Sequence, residues 1–359
     1  MQYGVLYHDK INADDITDVG FSCIEMQWNQ EMPSNATAVS GIVVPLENVD
    51  DEIMEKVYSH VKKHCIQYVV LETVNCCELE KMEQFVDAYG DHLVQLGVHV
   101  YIENGYVGDD VSGYRHCVFS EIEMLRRIVA FGNRCTSSSF FGICVNIGYG
   151  NILAKNVRGM MEEAGDMLCL VHANDNDGFH NDKQMPYTFT KGRGKQTTDW
   201  QRIIGALWRI GFDGIIIFDT EGLFERAPKE LEKQMLKMLY AIAREWENAL
   251  NFETMLNHPE KKLILFGAGL MAANYMTSWG GKYPPAFFVD NNQEHWGKEI
   301  FGIPIKSPQE ILSIPEDERT VLICNMYYDA IGQQLQEMGV PYQKYIDHYY
   351  NYSDKVLGE

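Results

Sequence analysis

Six side chains able to bind or react stand where an apolar run ends or has just ended: Trp28, Glu72, Glu103, Asn146, His172 and Asp219. Four of them, Glu103, Asn146, His172 and Asp219, fall on successive runs, so one folded sheet can bring them to one centre. Oxygen and imidazole donors of this kind suit a divalent ion such as Mn²⁺, Mg²⁺, Co²⁺ or Zn²⁺. Two carboxylates, Glu103 and Asp219, on either side of a held carbonyl would act as acid and base for moving a proton on the neighbouring carbon. Aldose–ketose isomerisation and ketose epimerisation both proceed in this way. A single carboxylate or histidine at a strand end more often caps a loop or forms an ion pair. Agreement across four successive runs is what points to a pocket.

The runs themselves give the scaffold. Short apolar segments recur at 3–7, 21–27, 41–45, 67–72, 98–103, 140–146, 167–173 and 214–219. Most are separated by stretches of helical period, at 51–64, 79–96, 120–131, 155–164 and 200–210, with 228–248 closing the set. The connection at 29–40 is too polar and short for a full helix. Repeated βα units mean a parallel sheet, and eight of them predict an α/β fold, a (β/α)₈ TIM barrel, with an open doubly wound sheet as the alternative. In such barrels chemistry sits at the C-terminal ends of the strands, where these six residues lie.

A second apolar pattern starts after Asn257-His258-Pro259, which divides the chain into a barrel at 1–255 and a smaller Rossmann-like α/β domain at 256–359. It predicts strands at 262–266, 286–290 and 321–325 and a helix at 270–279. The turn Gly267-Ala268-Gly269-Leu270-Met271-Ala272 follows the first strand, and Asp290 ends the next. In dinucleotide folds such glycines let the backbone approach a pyrophosphate at a helix N-terminus, and the acid holds a ribose diol. Gly267, Gly269 and Asp290 are therefore candidate cofactor-binding residues, although the same turn also serves helix–strand packing alone.

Bulk composition limits the partners. A chain of 359 residues exceeds the size at which one core stops growing, in line with two domains. A formal charge of −21 repels polyanions, so nucleic acid and anionic membrane surfaces are poor partners. Nine cysteines without framework spacing read as reduced thiols of a cytoplasmic protein. The N-terminal residues lack the pattern of a secretory signal, and there is no apolar run of membrane-spanning length.

The stretch Gly20-Phe21-Ser22-Cys23-Ile24-Glu25-Met26 resembles the second-strand signature of the xylose isomerase-like barrels, and Val100-Tyr101-Ile102-Glu103-Asn104 resembles their metal-carboxylate strand. These barrels include sugar epimerases, hydroxypyruvate isomerase, inosose dehydratase and endonuclease four. His172-Ala173-Asn174-Asp175-Asn176, with Gly192-Arg193-Gly194-Lys195 and Asp199-Trp200, is similar to the family's "H-x-x-D-N … G-x-G-x-x-x-D-W" region. The segment from Gly211 to Asp219 is similar to its last strand. The resemblance implies a metal held by Glu103, Asn146, His172 and Asp219, with Glu103 and Asp219 catalytic. Trp28, Glu72, Asn174 and Arg193 would contact substrate, Trp28 by stacking on a sugar face and Arg193 through an anionic group.

Two departures bear on this. The family's "D-x-G-H" is Asn146-Ile147-Gly148-Tyr149 here, and the usual terminal Glu is Asp219. An amide carries no full charge, so metal affinity should fall. Residues 289–310 resemble small Rossmann-like domains of bacterial glycan-biosynthesis proteins, found at the N-terminus of sugar acyltransferases and the C-terminus of sugar methyltransferases, which implies recognition of a nucleotide or nucleotide-sugar. The leading expectation is a sugar isomerase or epimerase acting on a small carbohydrate by carboxylate proton transfer. The alternative is a catalytically degenerate sugar or nucleotide-sugar binding protein of glycan biosynthesis. A nicotinamide-dependent oxidoreductase is a weaker third.

Overall fold

The computed structural model describes residues 1–31, 38–189, 198–225 and 227–345. The chain divides into two compact units, Met1–Glu247 and Asn248–Glu359.

The first unit is a closed barrel of eight parallel strands: β1 (Gln2–Leu6), β2 (Cys23–Gln27), β3 (Val39–Pro45), β4 (Tyr68–Glu72), β5 (His99–Glu103), β8 (Phe141–Asn146), β9 (Leu168–Ala173) and β10 (Ile215–Phe218). A small hairpin, β6 (Val107–Asp109) with β7 (Gly113–Arg115), stands outside the barrel after β5. The eight strands pair in chain order and β1 closes on β10, as the βα repeat predicts. Their sequences are almost wholly apolar because helices cover the outside while side chains fill the inside.

Helix starts are written locally. Asp50 caps the helix Asp51–His64 through the Ile53 amide at 2.9 Å, and Asp199 caps Trp200–Arg209 through the Arg202 amide at 3.2 Å. A short helix at Ala13–Val19, capped by Asn12, follows β1 where the apolar pattern is too brief to announce it.

The inward face of the barrel fixes the site. Leu6, Cys23, Val43, Tyr68, Val70, Tyr101, Cys144, Leu170 and Ile217 form one buried cluster inside it. Side chains alternate along a strand, so the residue two positions beyond an inward one also points inward. Applied to Cys23, Val70, Tyr101, Cys144, Leu170 and Ile217, this rule gives Glu25, Glu72, Glu103, Asn146, His172 and Asp219. The apolar plug thus turns polar one layer nearer the C-terminal mouth.

The second unit holds a six-stranded sheet in the order β13 (Glu299–Ile300), β14 (Ile303–Lys306), β12 (Phe287–Val289), β11 (Lys262–Phe266), β15 (Arg319–Ile323), β16 (Gln343–Lys344). All pairings are parallel except β13 with β14. Its core joins Ile264, Phe266, Phe287, Val289, Val321 and Ile323 to Ile331 and Leu335 of the helix Tyr328–Glu337. Among the described residues no helix is long and apolar enough to cross a membrane.

Candidate functional site

At the barrel mouth Glu25, Glu103, Asn146, His172, Asn174 and Asp219 are all buried. His172 sits between two carboxylates, with Nδ1 2.5 Å from Glu103 Oε1 and Nε2 2.8 Å from Glu25 Oε1. Burial opposes a charged imidazole here, but the neighbouring Glu25 and Glu103 carboxylates act against it, and the His172 pKa is raised above the ordinary histidine value. The Nδ1 contact with Glu103 is a hydrogen bond, whereas Nε2 faces Glu25 as a charge pair without hydrogen-bond geometry.

Asn146 ends β8 and also caps the short helix Ile147–Ile152. Its Oδ1 accepts from the Tyr149 amide at 3.2 Å and from Asn174 Nδ2 at 3.0 Å. A backbone N–H can only donate, so this contact fixes which end of the amide is oxygen. The nitrogen must then face the carboxylates: Nδ2 lies 2.9 Å from Glu103 Oε1 and 3.5 Å from Asp219 Oδ2. Asn174 Nδ2 approaches the same Asp219 oxygen at 3.4 Å. Gly148 makes this packing possible, since a Cβ there would lie 1.8 Å from Asn174 Oδ1.

The loop after β9 supplies a residue that periodicity does not reveal. It folds back on itself through a bridge between Asp175 and Gln184, with both amide-to-carbonyl bonds at 2.8 Å. Asp175 also accepts from Trp200 Nε1 at 3.3 Å, so the Asp and Trp of the quoted motif join the loop to the following helix. Next to the bridge, Lys183 adopts a left-handed φ of 44°, a strained conformation for a side-chain-bearing residue that costs about 1 kcal/mol or more. Its Nζ lies 3.3 Å from Asp219 Oδ1 and 3.7 Å from Glu221 Oε2, and its side chain is 15% exposed. Burial would discharge the amine, but Asp219, Glu72, Glu221 and Glu103 reverse that and push its pKa up.

A cavity of about 370 Å³ opens beside this cluster, lined among others by Glu72, Tyr106, Tyr149, Lys183 and Glu221. Glu72 accepts from Tyr149 Oη at 3.3 Å. Burial and the nearby Glu103 carboxylate raise the Glu72 pKa. Tyr106, on the same wall, packs edge-on against Tyr149 and accepts from Asn181 Nδ2 at 3.2 Å. Asp110, Asp182 and Glu225 complete an acidic lining in which Lys183 is the one basic side chain among the described residues.

The structure thus brings together Glu72, Glu103, Asn146, His172, Asn174 and Asp219 from the residues singled out in the sequence. Glu103 and Asp219 are not part of the lining; Lys183 joins the cavity to Asp219, and the Asn146 amide joins Asp219 to Glu103. Trp28 does not line the cavity; Lys56 Nζ lies 5.0 Å above its ring. Arg193, with Gly192, Gly194 and Lys195, lies outside the described residues. Lys183 and Glu25 are the residues sequence reasoning left without a role. Glu25 carried a signal, being two positions beyond the inward Cys23. Lys183, in a long polar loop, carried none.

Residues 259–346 match the family described as C2185-like, N-terminal. No curated protein matches the chain by sequence. Among solved structures, L-ribulose 3-epimerase is similar over 72% of this chain and 99% of its own, at 11% identity and a TM-score of 0.52. D-allulose 3-epimerase from Methylomonas sp., in a form with additional C-terminal residues, is similar over 68% of this chain and 98% of its own, at 13% identity and 0.50. A D-tagatose 3-epimerase-like protein is 18% identical over 68% of this chain and 99% of its own, at 0.48. The likeness shows the fold. The first unit has the eight-stranded parallel barrel of the first two of these, L-ribulose 3-epimerase and D-allulose 3-epimerase.

Three groups of described residues have potential ligand atoms within 4.8 Å of one another: Glu103–Cys144–His172, His8–Glu221–Glu225 and Asp177–His180–Asp182. The first belongs to the barrel centre and does not fit a divalent ion. Both His172 nitrogens face carboxylates, and burial pushes the Cys144 thiol up to about 12, so it stays protonated. Asn146 presents its N–H₂ rather than its oxygen to Glu103 and Asp219, which places a donor where an ion would need an acceptor.

In the second unit Gly267 has φ 117° and a Cβ there would lie 2.5 Å from the Cys324 carbonyl oxygen, so close strand approach alone requires this glycine. Gly269 precedes the helix Leu270–Ser278, and a Cβ on it would meet nothing within 4 Å. Asp290 Oδ2 accepts from the Ala268 amide at 3.1 Å and Oδ1 from the Asn292 amide at 2.8 Å. The acid therefore ties the glycine turn to the end of β12.

Proposed function

We propose that the first unit acts on a small, uncharged or amino-bearing sugar by proton transfer next to a carbonyl, as a sugar isomerase or epimerase, with Glu103 and Asp219 as the exchanging pair. The observation that carries this reading is that both carboxylates, from β5 and the end of β10, are buried and share the single nitrogen of Asn146. Paired carboxylates in a dry, fixed frame are suited to general acid and base work. Tyr149 and Glu72 would hold sugar hydroxyls in the cavity. The acidic lining disfavours phosphorylated sugars at this mouth.

The test is exchange of substrate carbon-bound hydrogen with deuterated solvent, followed by proton NMR across a panel of ketoses. Exchange lost in both Glu103→Gln and Asp219→Asn, with unchanged folding, supports the assignment; exchange retained in both removes it. A second reading, a sugar-binding barrel without turnover, is favoured by the position of both carboxylates outside the lining with nitrogen partners already in place. Saturable ketose binding without exchange would decide for it. For the second unit we infer recognition of a nucleotide or nucleotide-sugar at the Gly267–Gly269 turn, supported by the open space at Gly269. Its check is fluorescence of Trp296, whose Nε1 donates to the Asp290 carbonyl at 2.7 Å, during titration with a uridine diphosphate sugar.

A further inference from the structure

The barrel carries its own cation. We infer that the Lys183 ammonium stands in for a divalent ion at the mouth, compensating the carboxylates and presenting positive charge to a ligand oxygen in the cavity. Asn146 turns its amide hydrogens toward Glu103 and Asp219, so the carboxylate pair is bridged by a donor and not by an ion. Lys183 is the only described residue that both lines the cavity and makes an ion pair with Asp219. A strained backbone and the adjacent Asp175–Gln184 bridge hold it there, which is the mark of a placed side chain and not of a surface lysine swung inward.

An ammonium has three N–H donors. Asp219 and Glu221 pair with it by charge at 3.3 and 3.7 Å, Asp219 Oδ1 accepts no hydrogen bond, and the N–H donors are left for an oxygen of the ligand. A carbonyl or hydroxyl oxygen fits, and a single positive charge polarises it less than a divalent ion does. The carboxylates around the amine keep it protonated, so Lys183 acts as a charge and not as a nucleophile. Its part in turnover rests on the proton-transfer reading above, but the exclusion of metal does not.

The experiment is Mn²⁺ titration of the full chain by electron paramagnetic resonance, comparing the natural protein with Lys183→Met, Lys183→Arg and Glu103→Gln. The natural protein and Lys183→Arg should show no saturable site in the millimolar range. Lys183→Met should gain one at the Asp219 and Glu221 carboxylates that the ammonium vacates, at least about a hundredfold tighter, because a cation a few ångströms from an ion site repels it by that much or more. Saturable binding by the natural protein that disappears in Glu103→Gln would overturn the inference, as would a folded Lys183→Met that binds no better than the natural protein. If Lys183→Met does not fold, the comparison of the natural protein with Glu103→Gln decides alone. Because no turnover is measured, a failure here is distinct from a failure to exchange substrate hydrogen.

Discussion

Asn146→Asp would put back an acid where the amide now bridges two acids, and its cost can be worked from the geometry. The new side chain keeps the cap, since an oxygen still accepts from the Tyr149 amide at 3.2 Å. It loses the Nδ2 donor 2.9 Å from Glu103 Oε1 and gains a charge of the wrong sign beside Glu103 and Asp219. Repulsion at this range exceeds what protonating the new acid costs, so the folded chain keeps the introduced carboxyl neutral, and its O–H replaces the lost N–H. The penalty is then the work of protonating a carboxyl whose unfolded pKa is near 4, about 1.4 kcal/mol per pH unit above that value. The folded pKa is raised, so stability relative to the natural protein falls as pH rises. The difference is about 1.5 kcal/mol near pH 5 and about 4 kcal/mol near pH 7, the latter roughly a 10 °C drop in Tm for a unit of this size. Urea unfolding of both proteins at the two pH values measures it. An equal difference at both, or no loss near pH 7, would mean that the amide nitrogen does not face the carboxylates.

Three further perturbations probe the same frame and the second unit. Gly148→Ala sets a Cβ 1.8 Å from Asn174 Oδ1, so it should cost about 1–3 kcal/mol in thermal unfolding, and Asn174→Ala should relieve most of that cost when combined with it. The raised pKa of His172 means that its contribution is fully present below the unfolded value of about 6.5 and is lost as pH rises through the folded value. The natural protein should therefore lose stability into the alkaline range more steeply than His172→Gln; parallel curves would refute the double carboxylate pairing. Asp290→Ala removes the acceptor for the Ala268 and Asn292 amides and should lower the stability of the second unit by about 1–3 kcal/mol, measured by urea unfolding; no change would mean that the turn holds itself.

The barrel was legible because strands covered on both faces are written as apolar runs, and each run stops abruptly at a polar residue where the mouth begins. Expected 67–72 against observed Tyr68–Glu72, and 140–146 against Phe141–Asn146, show how sharp that signal is. The hairpin β6–β7 and the edge strands β13 and β16 went unread because two or three residues establish no period. Among site residues, those on strands share one inward parity and were found together, apart from Glu25, which the same parity would have given. Lys183 was beyond this logic. Its position depends on a loop closed by an isolated bridge and on a left-handed backbone angle, neither of which leaves a periodic trace in the sequence.

That missing lysine changes what the amide at position 146 means. Read alone, an amide in place of an acid looks like a damaged metal site. Within the folded mouth, Glu25, Glu103 and Asp219 are buried and Glu72 lines the adjoining cavity, so four carboxylates need compensation in a setting that hydrates them poorly. A fifth acid would deepen that deficit, and an external ion would have to be recruited to offset it. The chain instead supplies two cations of its own, His172 between Glu25 and Glu103 and Lys183 against Asp219, with the Asn146 amide joining the two halves. On this account the amide and the lysine belong to one arrangement, and neither is explained without the other. Restoring the acid while keeping the lysine should therefore destabilise the mouth without creating a metal site. Removing the lysine is the change that opens it to an ion.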